Sequence, residues 1–158
     1  MNRVVIVTGG AQGIGKCIAE EFRALGDRVY VIDRQPGDWF VGDIAERETL
    51  ERFAAEVLAR EPAVDILVNN ALPLFKGIDA CSYEEFVYAQ KVGVVAPFYL
   101  AKLFKDRFAA GASIVNISSS RDRMSQPQSE SYTAAKGGMT RQMIYHNDHG
   151  WSLADRPK

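Results

Sequence analysis

The first 25 residues hold an apolar run, a glycine-rich turn and an amphipathic helix in succession, and this order restricts the fold most. The run RVVIVTG is typical of a strand buried on both faces, as in parallel sheets. The turn TGGAQGIG follows, and GIGKCIAEEFRALG then places Ile14, Ile18, Phe22 and Leu25 on one helical stripe. A buried strand that passes through a tight turn into a helix predicts the start of a β-α-β unit.

The same alternation continues along the chain. DRVYVID, WFVGDI, VDILVNNA and ASIVNISSS predict further strands, whereas RETLERFAAEVLAR, SYEEFVYAQKVGVVAPFYLAKLFKDRFA and a segment from about Ser129 predict helices. The longest of these is expected to be interrupted between Gly93 and Pro97. Because strands alternate with crossover helices, we predict an α/β fold, a Rossmann-like doubly wound parallel sheet of about five strands in the order 3-2-1-4-5.

Charge and hydropathy exclude several classes of function. The chain has 158 residues with 19 basic and 20 acidic side chains, so it offers no basic surface to a nucleic-acid backbone. No segment reaches the roughly 20 apolar residues of a membrane span, and the N-terminus lacks a secretory leader pattern. Cys17 and Cys81 have no metal or redox spacing, so we expect reduced thiols and a cytoplasmic protein. His146 and His149 lack a third ligand, and no metal site is predicted.

Glycine and acidic residues predict a dinucleotide site at the carboxyl ends of the strands. Gly9, Gly13 and Gly15 permit a tight turn and the close approach of a pyrophosphate, which the following helix N-terminus binds. Asp33 ends the second strand, eighteen residues beyond Gly15. A carboxylate there accepts hydrogen bonds from adenosine ribose hydroxyls and repels a 2′-phosphate, which favours NAD over NADP. Arg34 follows directly and opposes this preference, because arginine pairs with phosphate.

Other residues at the strand ends have two interpretations each. Asp43, after the third strand, is a candidate adenine contact or an exposed loop aspartate. Asn69 and Asn70 end the fourth strand, where ligands bind in open α/β sheets, or they satisfy backbone groups there.

Tyr132 and Lys136 are the candidate chemical pair. Four residues apart, they share one face of a helix. A tyrosine is a poor base at its ordinary pKa of about 10, and a nearby ammonium lowers that pKa. The phenol then exchanges a proton with a substrate hydroxyl or carbonyl while hydride moves to or from a cofactor. Ser119, thirteen residues before Tyr132, is a candidate to hold the substrate oxygen. Taken alone, the tyrosine–lysine spacing also fits an exposed helical pair.

Together these motifs resemble the short-chain dehydrogenase/reductase family. The matching segments are TGGAQGIG, Asp33, GDI, VNNA, IVNISSS and YTAAK, in that order between residue 1 and about residue 138. The resemblance implies a Rossmann fold, a nicotinamide cofactor and alcohol/carbonyl redox chemistry. It also implies that Ser119 orients the substrate oxygen, that Tyr132 is the acid/base, and that Lys136 assists it and binds the nicotinamide ribose. The predicted cofactor-binding residues are Gly9, Gln12, Gly13, Ile14, Gly15, Asp33, Asp43, Ile44, Asn69, Ala71, Tyr132 and Lys136.

The chain departs from the family pattern at three places. Leu72 stands where the family usually has glycine after NNA, and Gly93 stands where many members have an asparagine that holds a proton-relay water. After YTAAKGG the family normally adds a sixth strand, substrate-covering helices and a seventh strand, whereas GGMTRQMIYHNDHGW resembles the far C-terminal tail of some members. We hypothesise an internal deletion, with a Rossmann domain at residues 1–138 and a tail at 139–158.

This hypothesis leaves two functions open. One is an NAD-dependent oxidoreductase of a small alcohol or carbonyl compound, and the other is a nucleotide-binding remnant or interaction module without turnover. Without the covering segments the fifth strand becomes an edge and an apolar face is exposed, so we expect a homo-oligomer, a dimer or larger. In the tail, Met139 and Met143 are expected to extend the Tyr132 helix, and Trp151 to anchor the tail on the apolar surface.

Overall fold

The computed structural model describes residues 2–142, 146–147 and 150–151. Five parallel strands form one sheet in the order β3-β2-β1-β4-β5, so the predicted fold class and strand order are confirmed. A short antiparallel pair, β6 and β7, follows the last helix. The elements are β1 Val4–Thr8, α1 Gly13–Ala24, β2 Arg28–Asp33, β3 Phe40–Val41, α2 Arg47–Arg60, β4 Val64–Asn69, α3 Tyr83–Gln90, α4 Ala96–Phe104, β5 Phe108–Asn116, α5 Glu130–Arg141, β6 His146–Asn147 and β7 Gly150–Trp151.

The side chains of β1 alternate between two apolar cores, one on each face of the sheet. Val4 and Ile6 pack with residues of α2 and α4 on one face. Val5 and Val7 pack against Ala19 of α1 on the other face. Because helices cover both faces, every residue of this strand is buried and the strand reads as a continuous apolar run.

The parallel register brings the ends of β1, β2 and β4 to the same edge of the sheet. Thr8 of β1 pairs with Ile32 of β2, and the N–H of Gly9 donates to the carbonyl of Ile32 at 2.9 Å. On the other side, Val7 pairs with Val68 of β4. The loops that leave these strands therefore converge, which is where a ligand binds in an open α/β sheet.

The predicted interruption of the long helical segment is present. α3 ends at Gln90, a π-helical turn covers Lys91–Val95, and α4 starts at Ala96. Gly93 is buried within the π-helical turn, and a Cβ added there would lie 2.7 Å from the Cβ of Ala135. The widened turn and the missing side chain thus let α5 approach closely.

The fifth strand differs from the prediction at both ends. It runs from Phe108 to Asn116, earlier than the segment ASIVNISSS suggests. The last ladder contact is the N–H of Ile117 donating to the carbonyl of Asn69 at 2.9 Å, because β4 itself ends at Asn69. Ser119 therefore lies beyond the strand, where no neighbouring strand pairs with it.

Helix α1 buries a narrower stripe than predicted. Ala19 is fully buried and Ile18 and Phe22 pack partly on the sheet, whereas Ile14 and Leu25 are 64% and 62% exposed. The apolar stripe is therefore buried only at the middle of the helix, and Ile14 lines the cleft described below.

Helix α5 continues past residue 138 to Arg141, and Met139 is 1% exposed, so this part of the expected extension is confirmed. Met143, His149 and the side chains of His146 and Trp151 lie outside the described residues. Within the described part of the chain, no helix combines the length and the apolar character that crossing a bilayer requires.

Candidate active site

A cleft of about 1000 Å³ follows the carboxyl edge of the sheet. The loops after all five strands line it together with α3 and α5, so the cleft brings together residues that are far apart in sequence. The predicted residues that line it are Gly9, Gln12, Gly13, Ile14, Asp33, Asp43, Ile44, Ala71, Tyr132 and Lys136. The predicted residues that do not are Gly15, Asn69 and Ser119.

The glycine turn is shaped by two backbone requirements. Gly9 and Gly13 have φ angles of +69° and +56°, a region that favours glycine. A Cβ on Gly9 would lie 2.8 Å from the Cα of Ala71, which follows β4. At Gly15 a Cβ would lie 2.2 Å from the carbonyl oxygen of Gly9. The role of Gly15 is therefore to let α1 pack on its own turn. Gly15 does not line the cleft, and its contact with a cofactor stays a prediction.

The N-terminus of α1 faces the cleft with its backbone donors free of side-chain caps. The N-cap residue Gln12 makes no capping hydrogen bond, and the first turn contains no acidic residue. A Cβ on Gly13 would meet no atom within 4 Å, so the backbone there borders open space. Uncapped N–H groups and the positive end of a 12-residue helix fit a pyrophosphate.

A small hydrogen-bond network joins the glycine turn to the loop after β4. The Thr8 hydroxyl accepts from the N–H groups of Asn70 and Ala71 at 3.0 and 3.1 Å. The Asn70 side-chain amide donates to the carbonyls of Thr8 and Gly9 at 3.0 and 2.9 Å. This network holds the two loops at a fixed separation on the cleft floor, and Asn70 itself lines the cleft.

Asn69, a predicted cofactor-binding residue, does not line the cleft. It is 1% exposed, and its amide donates to the Asn116 side-chain oxygen of β5 at 2.8 Å. Successive side chains of a strand point to opposite faces, so only one of two adjacent asparagines reaches the cleft. Asn69 joins β4 to β5 through a contact between side chains, whereas Asn70 is the residue that satisfies backbone carbonyls at the strand end.

Asp33 is held rigidly at one end of the cleft. One of its carboxylate oxygens accepts from the N–H of Ala11 at 3.0 Å, and the other accepts from the N–H of Gln35 at 3.0 Å. Each oxygen keeps a lone pair for a further donor, such as a ribose hydroxyl. Arg34 does not pair with Asp33: its guanidinium donates to the hydroxyl of Tyr88 at 2.8 Å.

Asp43 and Tyr88 form the neighbouring part of the wall. Asp43 accepts from the N–H of Ala45 at 2.9 Å and from the Tyr88 hydroxyl at 2.8 Å. Burial, followed by the hydrogen bond to Asp43, raises the pKa of Tyr88 to about 12. Tyr88 lies on α3, 45 residues after Asp43, and no sequence pattern marked it as a cleft residue.

Tyr132 and Lys136 lie side by side at the other end of the cleft. The Tyr132 ring lies 5.2 Å from the Phe75 ring, centroid to centroid, and Lys136 Nζ lies 5.8 Å from the Tyr132 ring centroid. Lys136 is 2% exposed and donates to the backbone carbonyl of Ile117. Among the described residues no carboxylate pairs with it, and burial lowers the pKa of Lys136 to about 8.

Ser118, and not Ser119, lines the cleft. The Ser119 hydroxyl accepts from the N–H of Arg121 at 3.3 Å and caps the short 3-10 helix Ser120–Asp122. Ser118 is hydrogen-bonded to the hydroxyl of Thr140 on α5. The position of the serines depends on where β5 ends, and this end was not predicted correctly.

An apolar loop forms the wall that the sequence analysis missed. Its cleft-lining residues follow β4 directly: Leu72, Pro73, Leu74 and Phe75. The buried hydroxyl of Ser131, in the first turn of α5, accepts from the N–H of Lys76 at 2.9 Å and lies 2.9 Å from the carbonyl oxygen of Leu74. The loop is thereby attached to the helix that carries Tyr132. The sequence feature that could have indicated this wall is the apolar run that follows the end of β4, where ligands bind in open α/β sheets.

No group of three potential metal ligands occurs among the residues that the structure describes. The polar groups of the cleft instead fit a dinucleotide. They are the carboxylate acceptors of Asp33, the backbone N–H donors at the start of α1, and the phenol of Tyr132 beside the ammonium of Lys136.

Comparison with known proteins agrees with this arrangement. The sequence model described as short chain dehydrogenase matches residues 3–145. An uncharacterized oxidoreductase of Thermotoga maritima is 30% identical over 157 residues, covering 87% of this chain, and the chain spans 61% of that protein. A solved apo SCOR enzyme from Clostridium thermocellum is 40% identical with a TM-score of 0.82, covering 88% of this chain and 63% of its own.

A metagenomic short-chain oxidoreductase solved in complex with NADP is 27% identical with a TM-score of 0.78, over 89% of this chain and 67% of its own. The family match covers the glycine turn, the strand-end acids and the tyrosine–lysine helix. The chain therefore belongs to the short chain dehydrogenase family.

Proposed function

We propose that the chain is an NAD(H)-dependent oxidoreductase that interconverts a small alcohol and the corresponding carbonyl compound. The observation that carries this proposal is that Asp33, Tyr132 and Lys136 line one cleft. An acceptor for a ribose and a phenol–ammonium pair thus border the same space, with the N-terminus of α1 exposed to it.

Three parts of the cleft would hold a dinucleotide. Asp33 accepts from the adenosine ribose hydroxyls and repels a 2′-phosphate, which supports NAD as the cofactor. The N–H groups at Gly13 and Ile14 bind the diphosphate. Lys136 reaches the ribose at the other end. When bound, the nicotinamide ring supplies or accepts the hydride.

The residues of the chain would move and hold the proton. The Tyr132 hydroxyl donates a proton to the substrate carbonyl oxygen, or takes one from its hydroxyl, while Lys136 favours the phenolate by its charge. Ser119 orients the substrate oxygen in this proposal. Because Ser118 is the serine that lines the cleft, the two serines are compared directly in the experiment below.

A second function, nucleotide binding without turnover, is favoured by the packing at Gly93. The asparagine that the family resemblance suggests at this position has no room here, since a Cβ would already lie 2.7 Å from Ala135 and 3.4 Å from Pro73. The water relay that the resemblance associates with that asparagine therefore has no equivalent at this position. Cofactor binding requires less exact geometry than hydride transfer does.

One experiment separates the two functions. We would titrate the purified chain with NADH and NADPH, following nicotinamide fluorescence, and then measure turnover on a panel of secondary alcohols and ketones. The proposal expects saturable NADH binding, weaker NADPH binding, and turnover that Tyr132→Phe lowers by about a hundredfold or more while NADH binding persists. Ser119→Ala and Ser118→Ala identify which serine matters for kcat. Binding without turnover supports the second function, and absence of binding contradicts both.

We also infer a homo-oligomer and a cytoplasmic location. Phe86, Val95 and Phe98, on α3, the π-helical turn and α4, are 39%, 52% and 51% exposed, and Val115 of the edge strand β5 is 42% exposed. Sedimentation equilibrium tests the assembly, and a monodisperse monomer would contradict it. The cysteines within the described residues are free thiols, as is typical of a reducing compartment.

A further inference from the structure

Arg34, Asp43 and Tyr88 come together at the Asp33 end of the cleft from three different elements. The Tyr88 hydroxyl donates to Asp43 Oδ2 at 2.8 Å and accepts from Arg34 Nη1 at 2.8 Å. A guanidinium only donates and a carboxylate only accepts, so the orientation of the hydroxyl between them is determined. Tyr88 thus bridges an arginine and an aspartate that are not in hydrogen-bond contact with each other.

The direct pair of Arg34 and Asp43 is weak without this bridge. Their closest nitrogen–oxygen distance is 3.8 Å, and their side chains are 67% and 30% exposed. An exposed ion pair at that distance contributes little, because water and salt screen it. The other oxygen of Asp43 is already engaged by the N–H of Ala45 at 2.9 Å, which fixes the carboxylate. The tyrosine hydroxyl therefore links the guanidinium to the Asp43 carboxylate through two hydrogen bonds of 2.8 Å, one to each group.

The position of Arg34 gives this contact a consequence for cofactor choice. Arg34 directly follows Asp33, the residue whose carboxylate faces the adenosine ribose in the proposed function. An arginine beside the ribose is the group that accommodates a 2′-phosphate in dinucleotide sites. The hydrogen bond to Tyr88 uses one of the five guanidinium N–H groups and holds the guanidinium beside Asp43, whose negative charge offsets part of its attraction for that phosphate.

We propose that Tyr88 is a positioning residue that excludes NADP by holding Arg34 against Asp43. This inference rests on the proposed function, and it adds the reason why an arginine next to Asp33 does not reverse the preference for NAD. Loss of the hydroxyl frees Arg34 to pair with a 2′-phosphate, while the contacts of Asp33 with Ala11 and Gln35 stay intact.

The test is a double-mutant cycle on cofactor binding, using wild type, Tyr88→Phe, Arg34→Ala and the double variant. NADH and NADPH differ only by the 2′-phosphate, so the ratio of their dissociation constants isolates that group. Tyr88→Phe is expected to strengthen NADPH binding by about fivefold and to change NADH binding by less than about twofold. In the Tyr88→Phe background, Arg34→Ala is expected to abolish the gain.

Tyr99 provides a matched control in the same chain. Its hydroxyl donates to Glu51 at 2.6 Å, Arg47 donates to the same carboxylate at 2.8 Å, and none of the three lines the cleft. Tyr99→Phe removes the same atom from a similar cluster and is expected to leave the NADPH/NADH ratio unchanged.

Several results would overturn the inference. An unchanged ratio in Tyr88→Phe, with NADH still bound, shows that the hydroxyl does not hold Arg34 away. Equal weakening of both cofactors shows that Tyr88 only supports the cleft wall. If Arg34→Ala alone weakens NADPH binding, the arginine already reaches the phosphate in the wild type. Absence of NADH binding by the wild type is a different failure, because it removes the proposed function together with this inference.

Discussion

Replacing Lys136 with methionine is expected to stabilise the folded protein near neutral pH. The lysine is 2% exposed, carries no ion-pair partner among the described residues, and has its pKa lowered from 10.5 to about 8 by burial. At pH values where the lysine is charged in both the folded and the unfolded chain, this shift means that burying the charge lowers the free energy of unfolding by about 3 kcal/mol. Methionine has a similar shape and no charge, and it loses the hydrogen bond to Ile117, which contributes about 1 kcal/mol. The net gain at pH 7 is therefore about 2 kcal/mol.

The stability gained by Lys136→Met is expected to depend on pH, which distinguishes the loss of a buried charge from a change in packing. Below pH 8 the lysine is charged in both states, and the full cost of burying the charge is present. Between pH 8 and about 10.5 the unfolded chain keeps a proton that the folded chain has released, so wild-type stability rises with pH. The advantage of Lys136→Met is expected to shrink over this range by about 1.4 kcal/mol per pH unit and to reverse within it, at about pH 9.5.

Urea unfolding followed by circular dichroism at pH 7, 8, 9 and 10 measures this difference. The other titratable groups are the same in the two proteins, so their effects on stability cancel in the comparison. Both proteins are also prepared with Tyr132→Phe, which removes the neighbouring phenol. Lys91→Met, at an exposed position, is the matched control and is expected to show no pH-dependent difference. A stability difference between wild type and Lys136→Met that stays constant with pH would refute the argument, as would a loss of stability at pH 7.

Three further predictions follow from individual contacts. Thr8→Val leaves two N–H groups after β4 without their acceptor and is expected to cost about 2–4 kcal/mol in urea unfolding, whereas Thr8→Ser retains most of the stability. Gly15→Ala is expected to disrupt the glycine turn and NADH binding, because a Cβ would lie 2.2 Å from a backbone oxygen. Gly137→Ala is expected to raise the melting temperature by a few degrees, because its Cβ would meet its nearest atom at 3.5 Å and alanine favours the helix. The hydrogen bond from Arg3 lowers the pKa of Asp27, so Asp27→Asn is expected to be less stable than wild type at neutral pH, and the difference is expected to vanish as pH falls through the folded pKa of Asp27.

Local patterns were sufficient to predict the sheet and residues at both ends of the cleft. The apolar run of β1 and the glycine turn after it impose backbone conformations that few other arrangements satisfy, and Asp33 ends β2 as expected. The tyrosine–lysine pair follows from helical spacing alone. These features depend on residues that are close in sequence, so periodicity and turn requirements identify them.

Adjacent residues at the strand ends were harder to distinguish. Asn70 lines the cleft and Asn69 does not, and Ser118 lines it where Ser119 was expected. A shift of one residue reverses the direction of a side chain, and the end of a strand depends on its neighbour in the sheet. β5 ends at Asn116 because β4 offers no pairing partner beyond Asn69, which is a property of two distant segments.

The sequence by itself determined the order of strands and helices, the glycine turn, the acid at the end of β2 and the face shared by Tyr132 and Lys136. Only the tertiary structure decided that Lys136 is buried without an ion-pair partner in the described chain, that Ala135 fills the space beside Gly93, and that Tyr88 lies between Arg34 and Asp43. The first group depends on backbone conformation and periodicity, which neighbouring residues encode. The second depends on which surfaces meet when helices pack on the sheet, and no local pattern encodes those contacts.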